Sequence, residues 1–343
     1  MKAMIMAAGV GSRLMPMTVD VPKPMIPMAN RPLMENTVDL LAKHGFKEVI
    51  ANLHYHGEII NNYFAGGEAW GLAMHYSPEE ELMGTAGGVK KCQHFLDETF
   101  VVISGDALTD IDLSKLLAEH RRLGALATIA LKPVDEVEHF GVVVTNDKGR
   151  IERFQEKPRP QEALSRTANT GIYVFEPEIF KDIPDGQFYD FGKQLFPYLV
   201  KTAAPFYGVA IDDYWCDVGN INTYRQANAD ILSGKVNVKY AGQLKHIENQ
   251  ASLLIGDGAC VGRDVKMRGQ VVIGPGCQIA DGVSIENSVI WNDTIVEDGA
   301  VIKNSVVGAV CRIGRGTYLS SNSTIASGSY LEDGAKISAD SKR

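Results

Sequence analysis

Apolar positions along the first two thirds of the chain follow two alternating patterns. Short β-rich runs, KAMIMA, KEVIAN, FVVISGD and LATIAL, are separated by amphipathic stretches at residues 33–44, 58–64 and 113–123. Strands that alternate with helices over this length predict a mostly parallel sheet covered on both faces. In such sheets the ligand crevice forms outside the carboxyl ends of the strands. Gly and Asp appear there, just after KAMIMA and just after FVVIS.

From residue 251 another period takes over, with an aliphatic residue at every sixth position. The first register runs Ile255, Val261, Met267, Ile273, Ile279 and Ile285. After a two-residue slip the second runs Val289, Ile295, Val301, Val307, Ile313, Leu319, Ile325, Leu331 and Ile337. Gly, Asp, Asn and Ser fill the spaces between, so each hexad reads as one short strand and one tight turn with a single inward aliphatic side chain. Three hexads make a triangular coil, and stacking about five coils buries columns that no single coil could bury. The predicted organisation is a Rossmann-like α/β domain at 1–233, a polar linker at 234–250 and a left-handed parallel β-helix at 251–343.

Composition narrows the classes of partner. The 343 residues are 45% hydrophobic and 22% charged, which excludes a disordered or fibrous chain. Lys+Arg 34 against Asp+Glu 42 leaves a net charge of −8, no basis for neutralising a nucleic-acid backbone or an anionic bilayer. No stretch reaches the roughly 18–20 apolar residues of a membrane helix, and the N-terminus lacks a secretory signal. A cytoplasmic protein is expected. Five cysteines, odd in number and never paired as Cys-x-x-Cys, read as reduced thiols used in packing.

After the first run the chain reads Ala8-Gly9-Val10-Gly11-Ser12-Arg13-Leu14, then Pro16-Met17-Thr18, then Pro22-Lys23-Pro24-Met25. Glycines here let backbone N–H groups face a polyphosphate, and Arg13 and Lys23 add charge for its oxygens. The string is neither the dinucleotide fingerprint, because position 14 is Leu, nor a Walker loop. Taken alone, Gly-x-Gly is more often an ordinary strand-to-helix turn. The full string resembles the signature of sugar-1-phosphate nucleotidylyltransferases, the NDP-sugar pyrophosphorylases. The resemblance continues through Gly84-Thr85-Ala86-Gly87, Gly105-Asp106, Phe140-Gly141-Val142, Glu156-Lys157-Pro158, Asn169-Thr170-Gly171-Ile172-Tyr173 and Trp215-Cys216-Asp217-Val218-Gly219. An appended hexapeptide β-helix is also a habit of that family.

The resemblance implies in-line attack by a sugar 1-phosphate oxygen on the α-phosphorus of a nucleoside triphosphate, with pyrophosphate expelled. Since the nucleophile is already an anion, the obstacle is bringing two polyanions together. It implies Mg²⁺ on Asp106 and Asp217, Arg13 on the departing phosphates, and Lys23 on the α-phosphate. Nucleotide contacts are expected from Ala8, Gly9, Gly11, Ser12, Glu81, Gly84, Thr85, Gly87 and Asp106. Sugar-phosphate contacts are expected from Gly141, Glu156, Lys157 and Asn169.

Plainer readings compete at each position. Asp106 could be a helix N-cap, although Asp110 and Asp112 are better placed for that. Lys157 could be a solvated lysine, and Asp217 could accept a backbone hydrogen bond. The eight histidines are scattered and none follows His246, which argues against the acyl transfer that hexapeptide-repeat enzymes run with a histidine. A scaffold role for the β-helix is expected instead, with homo-oligomers formed through it or through the first domain. Glu81 could present a carboxylate to guanine, and the sequence reading favours GTP with mannose 1-phosphate. UTP or dTTP with glucose 1-phosphate is the alternative, and a non-catalytic nucleotide-sugar sensor a more distant one.

Overall fold

The computed structural model describes residues 1–248 and 251–338. The last two positions of the expected linker and residues 339–343 of the expected β-helix lie outside that range. Two compact units result: residues 1–9 with 37–215, and residues 10–36 with 216–343. They do not follow the change of period at residue 251, because the Gly11–Lys23 signature belongs to the unit that contains the repeats.

The first unit is built on a nine-stranded sheet. Strand β1 (Lys2–Met6) lies between β2 (Glu48–Leu53) and β4 (Phe100–Ser104), parallel to both, and β3 (Ala73–Pro78) continues the parallel set beyond β2. Past residue 127 the sheet becomes mixed. Strand β5 (Ala127–Pro133) and the hairpin β6 (Gly141–Thr145) and β7 (Ile151–Glu156) are joined to the rest by β8 (Thr167–Phe175), which runs antiparallel to β4, β5 and β6. Strand β9 (Phe206–Ala210) closes this edge parallel to β5. Antiparallel neighbours need only short connections, and between β6 and β8 the chain forms no α-helix, a single 3₁₀ turn at Pro160–Glu162 being too short for a crossover.

Helices α1 (Leu33–Lys43) and α2 (Gly57–Phe64) fall at or close to the expected amphipathic stretches, α3 (Gly84–Lys91) forms outside them, and α4 (Leu113–Leu123) falls on the last of them. Asp112 caps α4 by accepting from the Lys115 N–H at 2.9 Å, and Gly124 ends the helix at φ 57. The core is aromatic where β4 meets β8: Phe100 stacks on Phe180 at 5.5 Å and packs on Phe175, while Phe191 stacks on Phe196 at 5.4 Å. Among the described residues no helix is long and apolar enough to cross a membrane, and all five cysteines are free.

The second unit contains α6 (Ile221–Leu232) and the repeats; α5 (Phe196–Lys201) belongs to the first. Asn220 and Thr223 form a reciprocal capping box that starts α6. The repeats form a parallel β-helix. Its inward columns are read from the pairing: Ile255, Ile273, Ile290, Val307 and Ile325 on one face, spaced by 18, 17, 17 and 18 residues. The other two columns, starting at Val261 and Met267, keep the same spacing.

The expected single slip of two residues is therefore two slips of one. It lies at residues 286–289 and again at 303–306, where Asn287 and Asn304 take left-handed conformations at φ 44. A shift of one residue turns a strand over, so Ile290, Val296 and Ile302 fill the interior where Val289, Ile295 and Val301 were expected. Ile295 is 37% exposed and Val296 is 0% exposed.

The expected linker also holds more structure than its polar composition predicts, since Gln243–Ile247 pairs antiparallel with Ala251–Ile255. Small hydroxyls finish the interior at the turns. Ser288 and Ser305 donate to the carbonyls of Glu286 and Lys303 at 2.6 Å, and Thr294 donates to Gly308 O at 2.8 Å.

The segment after the signature loop is tied into the same unit. Trp291 Nε1 donates to Tyr224 Oη at 2.9 Å, and that hydroxyl donates to Pro27 O. Asn30 Nδ2 donates to Ala241 O and Ile273 O at 3.1 and 3.0 Å, and Asn228 Oδ1 accepts from Ala29 N at 2.8 Å.

Candidate active site

The expected site residues divide between the units. In the second, the signature loop folds back on itself. Gly11 has φ 70, and a Cβ there would lie 2.8 Å from Cβ of Lys23. Thr18 Oγ1 donates to Gly11 O at 3.0 Å and fixes the return. Only glycine tolerates both this backbone conformation and this approach. Ser12–Leu14 and Lys23–Met25 are single turns of 3₁₀ helix.

The Lys23 side chain is only 8% exposed, and its Nζ lies 3.4 Å from Asp217 Oδ1. Gly219 N–H donates to Asp217 O at 2.8 Å and turns the chain back at the end of Trp215–Asp217. A Cβ on Gly219 would meet Asp217 Oδ2 at 3.1 Å and the Arg13 guanidinium at 3.4 Å. Arg13, Lys23 and Asp217 are thus brought together: an exposed guanidinium, a buried ammonium and a carboxylate a quarter exposed.

Such a cluster neutralises added anionic oxygen and offers hard oxygen donors to a cation. Among the described residues no three His, Cys, Asp or Glu side chains gather as a metal cage. A carboxylate pair suits a cation such as Mg²⁺, which completes its octahedron with phosphate oxygens and water. The chemistry of Asp217 fits that demand.

In the first unit, Ala8 is buried, Gly9 has open space around it, and Gly105-Asp106 forms the turn after β4. Gly105 N–H donates to Met6 O at 2.9 Å, so this turn is pinned to the end of β1. Gly84 and Gly87 are held against a neighbouring loop. A Cβ on Gly84 would reach Tyr189 O at 2.6 Å and one on Gly87 would reach Gln187 O at 2.8 Å. Thr85 Oγ1 donates to Asp190 Oδ2 at 3.1 Å and accepts from Phe191 N at 2.7 Å.

Glu156 is packed against two glycines, since a Cβ on Gly141 would stand 2.9 Å from its Oε2 and one on Gly192 closer still. Burial raises the Glu156 carboxyl above its ordinary value, Asp190 adds to this, and Lys157 and Lys193 oppose it. Lys157 is exposed, with Nζ 3.9 Å from Glu156 Oε1 and backbone φ 45. Asn169 spends one amide hydrogen on Tyr173 Oη at 3.0 Å and accepts from Gly171 N at 3.0 Å. Burial pushes the Tyr173 phenol far above its usual range.

Glu81, the carboxylate expected at the base, is exposed, while Glu79, which the sequence does not single out, is 5% exposed. Glu79 accepts from Asn52 Nδ2 at 2.7 Å and from Met83 N at 3.0 Å, and Asn52 Oδ1 accepts from Ala7 N at 2.9 Å. This chain of hydrogen bonds links the end of β1 to the start of the Gly84–Gly87 segment. In the fold, buried Met74, Ser77 and Glu79 alternate with exposed His75, Pro78 and Glu80, an alternation that the mixed residue types of this stretch do not show.

Residues 2–234 match the family model of nucleotidyl transferases, and residues 249–340 match that of the GMPPB C-terminal domain. A UTP–glucose-1-phosphate uridylyltransferase of Synechocystis is 43% identical over 336 residues, covering 93% of this chain and 86% of that protein. A mannose-1-phosphate guanylyltransferase of Mycobacterium tuberculosis is 31% identical over 303 residues, covering 88% and 82%. A solved Bacillus anthracis structure, assigned as a glucose-1-phosphate thymidylyltransferase, superposes with a TM-score of 0.63 at 24% identity over 69% of this chain and 97% of that one, a likeness of fold. On these matches the chain belongs to the sugar-1-phosphate nucleotidylyltransferase family, with a parallel β-helix as its C-terminal part.

Proposed function

We propose that the chain transfers a uridylyl group from UTP to glucose 1-phosphate. A sugar-phosphate oxygen forms the new bond to the α-phosphorus, the α–β phosphoanhydride bond breaks, and pyrophosphate leaves with its electron pair. The observation that carries this reading is the buried Lys23 ammonium held at 3.4 Å from Asp217 beneath the Gly11 turn. A cation fixed in place before substrate arrives stabilises developing phosphate charge without reorganising. The base and the sugar rest on the Synechocystis relative, at 43% identity over almost the whole chain.

GTP with mannose 1-phosphate is the second reading, favoured by the match of residues 249–340 to the GMPPB C-terminal domain and by the guanylyltransferase relative. In either case Arg13 would take the departing phosphates, Lys23 the α-phosphate, and Lys157 the phosphate of the incoming sugar. Glu156 and Asn169 would take sugar hydroxyls, and the Ala8–Ser12 and Gly84–Gly87 backbones the nucleotide. Members of the family generally use a divalent metal ion. Mg²⁺ held by Asp106 and Asp217 would offset the negative charge of the phosphates. Work in the cytoplasm as a homo-oligomer is part of the same reading, and sedimentation of the pure chain tests the assembly.

Pyrophosphate release, measured for UTP, GTP, dTTP, ATP and CTP with glucose 1-phosphate and mannose 1-phosphate, tests the proposal. UTP with glucose 1-phosphate is expected to give the highest kcat/KM. A higher value for GTP with mannose 1-phosphate would exchange the two readings. Silence throughout would leave a nucleotide-sugar sensor.

A further inference from the structure

Within the second unit, α6 and one corner of the β-helix enclose a cleft of about 440 Å³. That volume lies in the range of small-molecule sites. Its wall is rich in carboxamides, among them Asn222, Gln226, Gln270, Asn287 and Asn304, set around Arg225. None of these residues has a part in the proposed transfer reaction.

Two buried atoms in this wall lack any partner: Arg225 Nε, a donor, and Gln270 Oε1, an acceptor. Buried polar atoms are rarely left so, because each loses its hydration unless something else satisfies it. The remaining bonds of the Arg225 guanidinium go to neutral oxygens: Asn287 O at 3.5 Å, Asn222 Oδ1 at 3.3 Å and Asn322 Oδ1 at 2.8 Å. Burial alone acts on its titration and lowers it. The other charged pair in the wall is Lys235 and Asp230, with Nζ 2.9 Å from Oδ1, an oxygen that also accepts from Gln226 Nε2 at 2.9 Å. The arginine charge is therefore left uncompensated in a wall of carboxamides. A guanidinium in that state selects an anion, phosphate above all. Carboxamides offering both donors and acceptors suit hydroxyls.

We infer that this cleft is a second ligand site, which takes a small phosphorylated sugar or polyol with its phosphate on Arg225 and its hydroxyls on Gln270 and the neighbouring asparagines. The site is separate from the catalytic residues and does not depend on which nucleotide they use. Arg225 follows Tyr224, whose hydroxyl holds Pro27, so a ligand here would rest on the helix that supports the segment after Lys23.

Calorimetric titration of the full chain with glucose 6-phosphate, glucose and inorganic phosphate tests the inference. The 6-phosphate ester is used because it is not the proposed 1-phosphate substrate. Saturable binding of the ester is expected in the millimolar range or tighter, with inorganic phosphate at least tenfold weaker and glucose weaker again. Arg225→Met should weaken the ester at least tenfold and Gln270→Leu about threefold or more, whereas Lys157→Ala should leave it unchanged. Gln270→Leu also guards against a folding artefact, because the Gln270 side chain makes no hydrogen bond to the described residues, and its melting curve without ligand should match the wild type. Absence of ester binding, as expected if only water fills the cleft, would overturn the inference. So would binding that both cleft variants retain, binding that Lys157→Ala abolishes, or inorganic phosphate binding as tightly as the ester.

Discussion

Replacing Lys23 by Ala removes a buried cation already oriented beside Asp217. A loss in kcat of about 10²–10³ is expected, as for other preorganised charge-stabilising donors, and pyrophosphate release will measure it. At Glu156 stability and binding should part company. Its carboxyl is raised by burial, so the folded state holds its proton more tightly than the unfolded chain does. Stability linked to this group is present at low pH and is lost as pH rises from the unfolded carboxyl value through the higher folded one. Glu156→Gln should remove that loss, giving a higher Tm at neutral pH together with a raised KM for the sugar phosphate; thermal melts across pH and steady-state kinetics report the two effects.

Arg13, Lys23 and Asp217, which the fold brings together, each sit in a short string whose residue types fit anion or cation chemistry. No such string marks Glu79 or Gly192. What matters at those positions is proximity to Asn52 and Glu156, partners 27 and 36 residues away, and a local pattern does not record which distant side chain will be met.

Among the elements, β1, β2 and β4 and the helices α1, α2 and α4 were legible from the alternation of β-rich runs and amphipathic stretches, whereas β3 and the Gly-rich α3 were not. The antiparallel half was not, since a strand carries the same apolar pattern whichever way its neighbour runs. The β-helix shows the reverse weakness. Its period was plain, but a one-residue omission made twice looks like one slip of two when only aliphatic spacing is counted, since Val289 and Ile290 both fit. Equilibrium denaturation separates the registers. Val296→Ala should cost about 2 kcal/mol, as loss of buried apolar volume does, while Ile295→Ala should stay within about 0.5 kcal/mol. Tyr224→Phe takes away the hydroxyl shared by Trp291 Nε1 and Pro27 O. Two buried polar groups are then left unpaired at about 1–3 kcal/mol each, and the same denaturation experiment should show the loss.

For the molecule as a whole, the grouping of residues 10–36 with the repeats ties the Gly11–Lys23 loop to the β-helix within one compact unit. A chain ended at residue 250 is expected to retain the β1–β9 sheet by circular dichroism but to turn over at less than about a hundredth of the full-length rate, because Asn30 and Tyr224 lose their partners Ile273 and Trp291. Both shortened coils drop their residue at one corner, and Asn287 and Asn304, which make those turns, line the cleft beside Arg225. The hollow is thus produced by subtraction. A rod of uniform 18-residue rungs would press an extra peptide unit outward at each of these two levels. Inserting a single glycine after Asn304 should then act as a plug, filling the space from the rod side while every rung above and below keeps its ladder.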